Sequence, residues 1–178
     1  MSSTKKELLS GVFYTAIAKY SGIIISLVIA GILARLIEPE DFGVVAIATV
    51  IISFFGIFSD LGIAPAIIQN KELSENDLSN IFSFTLWLGI GISMIFFLCS
   101  WPISHFYESD TLLSICQLLS LNLFFASANI VPNALLFKGK EFKFIAYRSL
   151  TIQIAGGSLA ITAAFMGAGL YALIINPI

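Results

Sequence analysis

Charged side chains are scarce in this sequence, and histidine and cysteine are scarcer still. The 178 residues hold nine lysines and arginines, eleven aspartates and glutamates, one histidine and two cysteines. A lone His105 has no neighbour at metal-ligand or catalytic spacing, so no metal or other cofactor is expected and acid-base chemistry lacks its parts. No basic patch is present to hold nucleic acid. Cys99 and Cys116 are embedded in apolar runs, where a small buried thiol is the expected state and a disulfide the lesser alternative. A charged fraction of 11%, against about 25% in ordinary soluble domains, leaves too little polar surface to keep the chain in water. The net charge of −2 carries no signal by itself, because charge placement decides in such a chain.

Apolar residues make up the balance: 58% of the chain, with a mean hydropathy of +0.97. Read for spans of about 20 apolar residues, the sequence predicts helices over 11–36, 42–68, 81–101, 112–137 and 144–166, with a sixth cut off at 170–178. The fold class is therefore all-α, a polytopic transmembrane bundle. The intervening polar connections are too short to fold alone. The first apolar run is too long for the core of a cleaved signal and is read as an uncleaved helix.

Lysine placement sets the orientation. An inside N-terminus puts Lys5, Lys6, Lys71, Lys138, Lys140 and Lys143 on the cytoplasmic side and leaves only Arg35 near an outer loop. Glu38, Glu40, Asp41, His105, Glu108 and Asp110 then fall outside, with Trp101, Phe106 and Tyr107 at interfacial belt positions.

Within the first span Ala18, Gly22, Ser26, Ala30 and Ala34 recur every four residues. Small side chains on one face let a second helix approach closely in lipid. The second span carries Ala46, Thr49, Ser53, Gly56 and Asp60 on one stripe, and the fourth carries Asn122, Asn129 and Asn133 around Ala126. Such faces either join helices by hydrogen bonds or line a watery cavity. Lys19 and Asp60 each lie eight residues from a cytoplasmic span end, about 12 Å at helical rise, and so share a depth. A charge there needs a partner or a hydrated cavity. Pairing, contact with substrate and, for Lys19, snorkelling all remain open. Pro65 and Pro132 are expected to break helices beside these polar groups, as transporters do at their sites.

The run Leu33-Ala34-Arg35-Leu36-Ile37-Glu38-Pro39-Glu40-Asp41-Phe42-Gly43 resembles the signature of bacterial polysaccharide and O-antigen flippases of the Wzx type, in the MATE-like MOP superfamily. Its motif residues are Arg35, Pro39, Glu40, Asp41, Phe42 and Gly43. Ser59 to Ile63, Ile67 to Gln69, Leu135 to Phe142 and Gly169 to Leu173 carry the likeness along the chain. The resemblance implies inner-membrane export of a polyprenyl-pyrophosphate-linked glycan through a cavity between two lobes, without covalent catalysis. Lys19 falls near a position where family members hold the pyrophosphate, and Asp60, Ser53, Asn122, Asn129 and Asn133 are the other cavity candidates. Residues 1–178 would form part of one six-helix lobe, lacking the C-terminal lobe as partner. The alternatives are a drug or metabolite antiporter of the same superfamily, a membrane-embedded glycosyl- or acyltransferase, and a non-transporting scaffold.

Overall fold

The computed structural model describes the backbone of residues 2–60, 62–70 and 72–175, and their side chains apart from those of 2–10, 12 and 60. Among these residues every element is a helix: α1 (Ser2–Leu36), α2 (Pro39–Asp60), α3 (Ile63–Gln69), α4 (Glu75–Phe106), α5 (Asp110–Lys138), α6 (Phe142–Phe165) and α7 (Leu170–Ile175). Four described segments, 13–36, 39–59, 75–106 and 110–138, are long and apolar enough to cross a membrane. The chain is thus an all-α, multi-pass membrane protein. Helix α6 has the length for a fifth crossing, at 24 residues. Arg148, Gln153 and the hydroxyls of Tyr147, Ser149, Thr151, Ser158 and Thr162 add polar groups along it.

Several expected boundaries move. The second span is not continuous over 42–68: α2 ends at Asp60 and α3 begins at Ile63. Gly62 between them has φ +76° and ψ +15°, a left-handed conformation that glycine adopts without steric cost. Pro65 lies in the first turn of α3, where a missing N–H costs no intrahelical bond, so it follows the break instead of causing it. The break expected at Pro132 is absent, for α5 runs unbroken from Asp110 to Lys138 with Pro132 inside it. Membrane helices tolerate such a proline because neighbouring groups take up the freed carbonyl. Pro102 likewise sits inside α4, which shortens the predicted 102–111 connection to 107–109. The preceding connection also shortens, since Ser74 caps α4: its hydroxyl accepts from the Asp77 N–H, and the Asp77 carboxylate accepts from the Ser74 N–H at 3.0 Å.

The chain divides into two compact units, residues 1–42 with 139–178 and residues 43–138. In the first, α1 packs on α6 and α6 on α7. A Cβ at Gly157 of α6 would run into Ile29 of α1, so the bulky side chain comes from α1 and the space from α6. Ile29 and Leu33 on α1 and Ile37 just past its end are buried, as are Gly157, Ala160 and Ala164 on α6. Of the small-residue stripe, Ala18 and Gly22 are half-buried while Ser26, Ala30 and Ala34 are exposed. At Gly22 the Gln153 amide donates to the glycine carbonyl at 2.9 Å, and a Cβ would meet Gln153 Oε1 at 2.9 Å. Gly22→Leu should therefore displace Gln153 and cost roughly 1–3 kcal/mol of overpacking, whereas Ala30→Leu should leave the α1–α6 contact intact. Thermal unfolding of the two variants in detergent distinguishes them; equal midpoints would remove Gly22 from the contact.

In the second unit α4 and α5 form an antiparallel hairpin closed by Tyr107–Ser109. Gly89 fits against Ser127 and Ser93 Oγ donates to the Ser120 carbonyl at 2.6 Å. The turn is tied by Ser104 Oγ donating to the Ser109 carbonyl at 2.9 Å and by the Ser109 N–H returning to the Ser104 carbonyl. Helix α3 packs on α5 through Ile67, Val131 and Ala134, joined by Ile63, Ala64 and residues of the α4 start. Helix α2 meets α4 at Phe55 and Phe96, whose ring centroids are 5.0 Å apart. Cys99 and Cys116 are both free thiols.

Candidate functional site

The break between α2 and α3 leaves a cleft of about 280 Å³ against α5. Gly56 and Ser59 supply the α2 wall, Ala64 the α3 wall, and Ala126, Ile130, Asn133, Ala134 and Phe137 the α5 wall. Small side chains at five of these positions create the space, and the early end of α2 opens it. Ser59 is 96% buried, from a relative exposure of 4%, and its hydroxyl oxygen has no hydrogen-bond partner among the described residues. Asn133 is half-buried on the opposite wall.

Of the other cavity candidates, none that is described is among the residues lining this cleft. Asn129 is exposed, its amide donating to the Phe125 carbonyl of its own helix at 2.8 Å, and Asn122 is exposed as well. Ser53 is exposed and its hydroxyl donates to the Thr49 carbonyl at 2.7 Å, as Thr49 does to Val45. Lys19 belongs to the first unit and is exposed on α1. The side chains of Asp60, Lys5, Lys6 and Lys71 lie outside the described residues. Among the described residues, Asn133 is thus the one candidate that lines the cleft.

Ser59 escaped the sequence reading because the polar stripe of α2 was traced to Asp60. The buried face of α2 runs one position aside, through Val45, Ala48 and Ser59, with Phe55 half-buried between them. The signal was present in the spacing: Ser59 stands three residues after Gly56, as Gly56 does after Ser53. A second anchor lies at the rim of the same unit, where Lys138 Nζ donates to the Asn70 carbonyl at 2.7 Å. That bond ties the end of α5 to the segment following α3. Of the motif residues, Arg35, Pro39, Glu40 and Gly43 are exposed, while Asp41 and Phe42 are half-buried. The Asp41 carboxylate comes close to Gly169, where a Cβ would lie 3.7 Å from it.

A family model described as polysaccharide biosynthesis protein matches residues 32–178. The chain belongs to that family. It is 31% identical over 162 residues, 91% of the chain, to the lipopolysaccharide biosynthesis protein WzxC of Escherichia coli. It is 28% identical over 80% of its length to an uncharacterized membrane protein in the cps region of Klebsiella pneumoniae. The succinoglycan biosynthesis transport protein ExoT of Rhizobium meliloti is 21% identical over 95% of the chain. The aligned region makes up 33%, 30% and 34% of these relatives, so the chain spans about a third of their length. No solved structure matches it.

Proposed function

We propose that the full-length protein is an inner-membrane flippase that carries a polyprenyl-pyrophosphate-linked oligosaccharide outward for cell-surface polysaccharide synthesis, and that this chain is part of its N-terminal lobe. The observation that carries the reading is the family match over residues 32–178. It is supported by a relative whose name includes succinoglycan transport and by the broken helix beside a cleft that holds two polar residues, a construction of the kind transporters use at membrane depth. The mechanism is movement, not bond-making. A second lobe would face this one, and rocking of the two would expose the cavity to each side in turn. Lys19 would hold the anionic pyrophosphate.

The direct test is reconstitution of the full-length protein into liposomes with a fluorescent polyprenyl-pyrophosphate-linked glycan in the inner leaflet. Protein-dependent quenching of the probe by an external reagent is expected; quenching no faster than in empty liposomes would overturn the proposal.

Orientation is tested separately. With the N-terminus cytoplasmic, the 107–109 turn faces outside. Ser109 is a poor reporter because it is half-buried and its hydroxyl accepts from the Leu112 N–H at 3.3 Å. Tyr107 is exposed. A Tyr107→Cys variant with Cys99 and Cys116 replaced should react with an impermeant maleimide in intact spheroplasts. Labelling that requires lysis would invert the topology.

A further inference from the structure

Serine and threonine hydroxyls in apolar helices ordinarily donate to a carbonyl three or four residues back in the same helix. This chain follows the habit at Thr49, Ser53, Thr85, Ser100, Ser120, Ser127, Ser158 and Thr162, with distances of 2.6–3.0 Å. Ser59 does not. Its oxygen is buried without a partner among the described residues, and it lines the cleft at the end of α2. A buried hydroxyl left unmade costs free energy, so a native partner for it is expected from outside the described protein.

The cleft limits what that partner is. At about 280 Å³ it far exceeds the ~30 Å³ share of one water and approaches the ~300 Å³ lower end of small-ligand pockets. None of the described side chains lining it is charged, so nothing among them compensates an anion. Two neutral polar groups, the Ser59 hydroxyl and the Asn133 amide, stand among alanines, Ile130 and the ring of Phe137. A sugar ring has matching chemistry: hydroxyls that both donate and accept, and C–H faces that pack on apolar and aromatic side chains.

We propose that the Ser59–Asn133 cleft holds one neutral sugar unit of the lipid-linked glycan, a subsite distinct in chemistry from the cationic one at Lys19. The inference rests on the flippase reading and assigns the glycan end of the substrate within it. Ser59 donates to a ring hydroxyl once rotation about χ1 turns its buried oxygen into the cleft, Asn133 engages a second, and Phe137 with Ala126 and Ala134 covers the apolar face. Gly56 keeps the space open: a Cβ there meets no atom within 4 Å, so a larger side chain fits the fold yet fills the cleft.

The test uses the full-length protein in nanodiscs, titrated with undecaprenyl pyrophosphate alone and with undecaprenyl pyrophosphate bearing a single glucose. The wild type should prefer the glucosylated lipid by about tenfold, the factor that ~1.4 kcal/mol provides. Ser59→Ala and Gly56→Leu should each cut this preference severalfold while affinity for the bare lipid stays unchanged. Ser158→Ala should change neither, because that hydroxyl bonds its own helix. In the absence of lipid, Ser59→Ala should keep or raise the thermal midpoint, since it deletes an unpartnered polar atom. Retained preference with a lowered midpoint would make Ser59 a structural hydrogen bonder and overturn the subsite. Equal weakening of both lipids would assign the cleft to the carrier, again overturning it. Equal wild-type affinity for the two lipids would remove the sugar site and leave the flippase reading standing, whereas no binding of either would remove both.

Discussion

Gly89→Leu is expected to unfold the α4–α5 hairpin, while Gly91→Leu, two residues away on the same helix, is expected to be tolerated. The two helices approach so closely at Gly89 that an added Cβ would sit 2.5 Å from Ser127 Cβ and 3.6 Å from the Phe124 carbonyl oxygen. Neither neighbour is the free end of a flexible side chain. Ser127 is fully buried and its hydroxyl is engaged with the Leu123 carbonyl, so the helices must separate to admit even alanine. Separation would also break the Ser93 to Ser120 hydrogen bond four residues on. Overpacking by a branched side chain at such a contact costs about 3 kcal/mol or more. At Gly91 nothing lies within 4 Å, and leucine gains helix propensity there. Gly157→Leu should cost less than Gly89→Leu, because the atoms it meets are the movable Cδ1 and Cγ1 end of the Ile29 side chain. The measurement is the yield of monodisperse protein and its thermal midpoint in detergent. Equal behaviour of the position 89 and 91 variants would show that the hairpin is not held by close approach at Gly89.

The fold class was legible because lipid imposes one rule that composition reports directly: long apolar runs with few charges become helices. Which face of each helix packs was harder to read. On α1 the small residues Ser26, Ala30 and Ala34 suggested the contact, yet the structure buries the bulky Ile29 and Leu33 instead, with Ile37 just past the helix end. Close packing needs a small residue on one partner only, and Gly157 on α6 supplies it. Spacing along one helix does not say which helix brings the knob. On α2 the same ambiguity separates the exposed stripe through Ala46 and Ser53 from the buried line through Val45, Ala48 and Ser59. The two lie within one residue of each other around the helix. Hydropathy cannot tell them apart, since serine is equally at home on both when its hydroxyl bonds the backbone. The proline signals were half-informative for a local reason. Pro65 marks a break because Gly62 precedes it and adopts φ +76°, whereas Pro132, with no glycine nearby, stays within a continuous helix.

Lys19→Met should reduce export by the full-length protein at least tenfold at unchanged abundance, with Lys19→Arg retaining most of it. Lys19 is exposed on α1, so removing its charge opens no cavity and strands no partner among the described residues. Stability should then be nearly unaffected. Export should not, because a pyrophosphate head entering a low-dielectric cavity needs a compensating cation, and tenfold corresponds to about 1.4 kcal/mol of that compensation. Arginine keeps the charge and adds a bidentate fork suited to phosphate oxygens, which is why the conservative variant should work. The competing model pairs Lys19 with Asp60 at matched depth on the first two helices. It makes the opposite forecast: Lys19→Met and Asp60→Asn would each lower abundance, and the double variant would recover, since deleting both partners leaves no uncompensated charge. Flip rates in liposomes and protein level on the same preparations separate the two models. A loss of export that Asp60→Asn rescues would assign Lys19 to the ion pair. A loss that it leaves in place would assign Lys19 to the substrate.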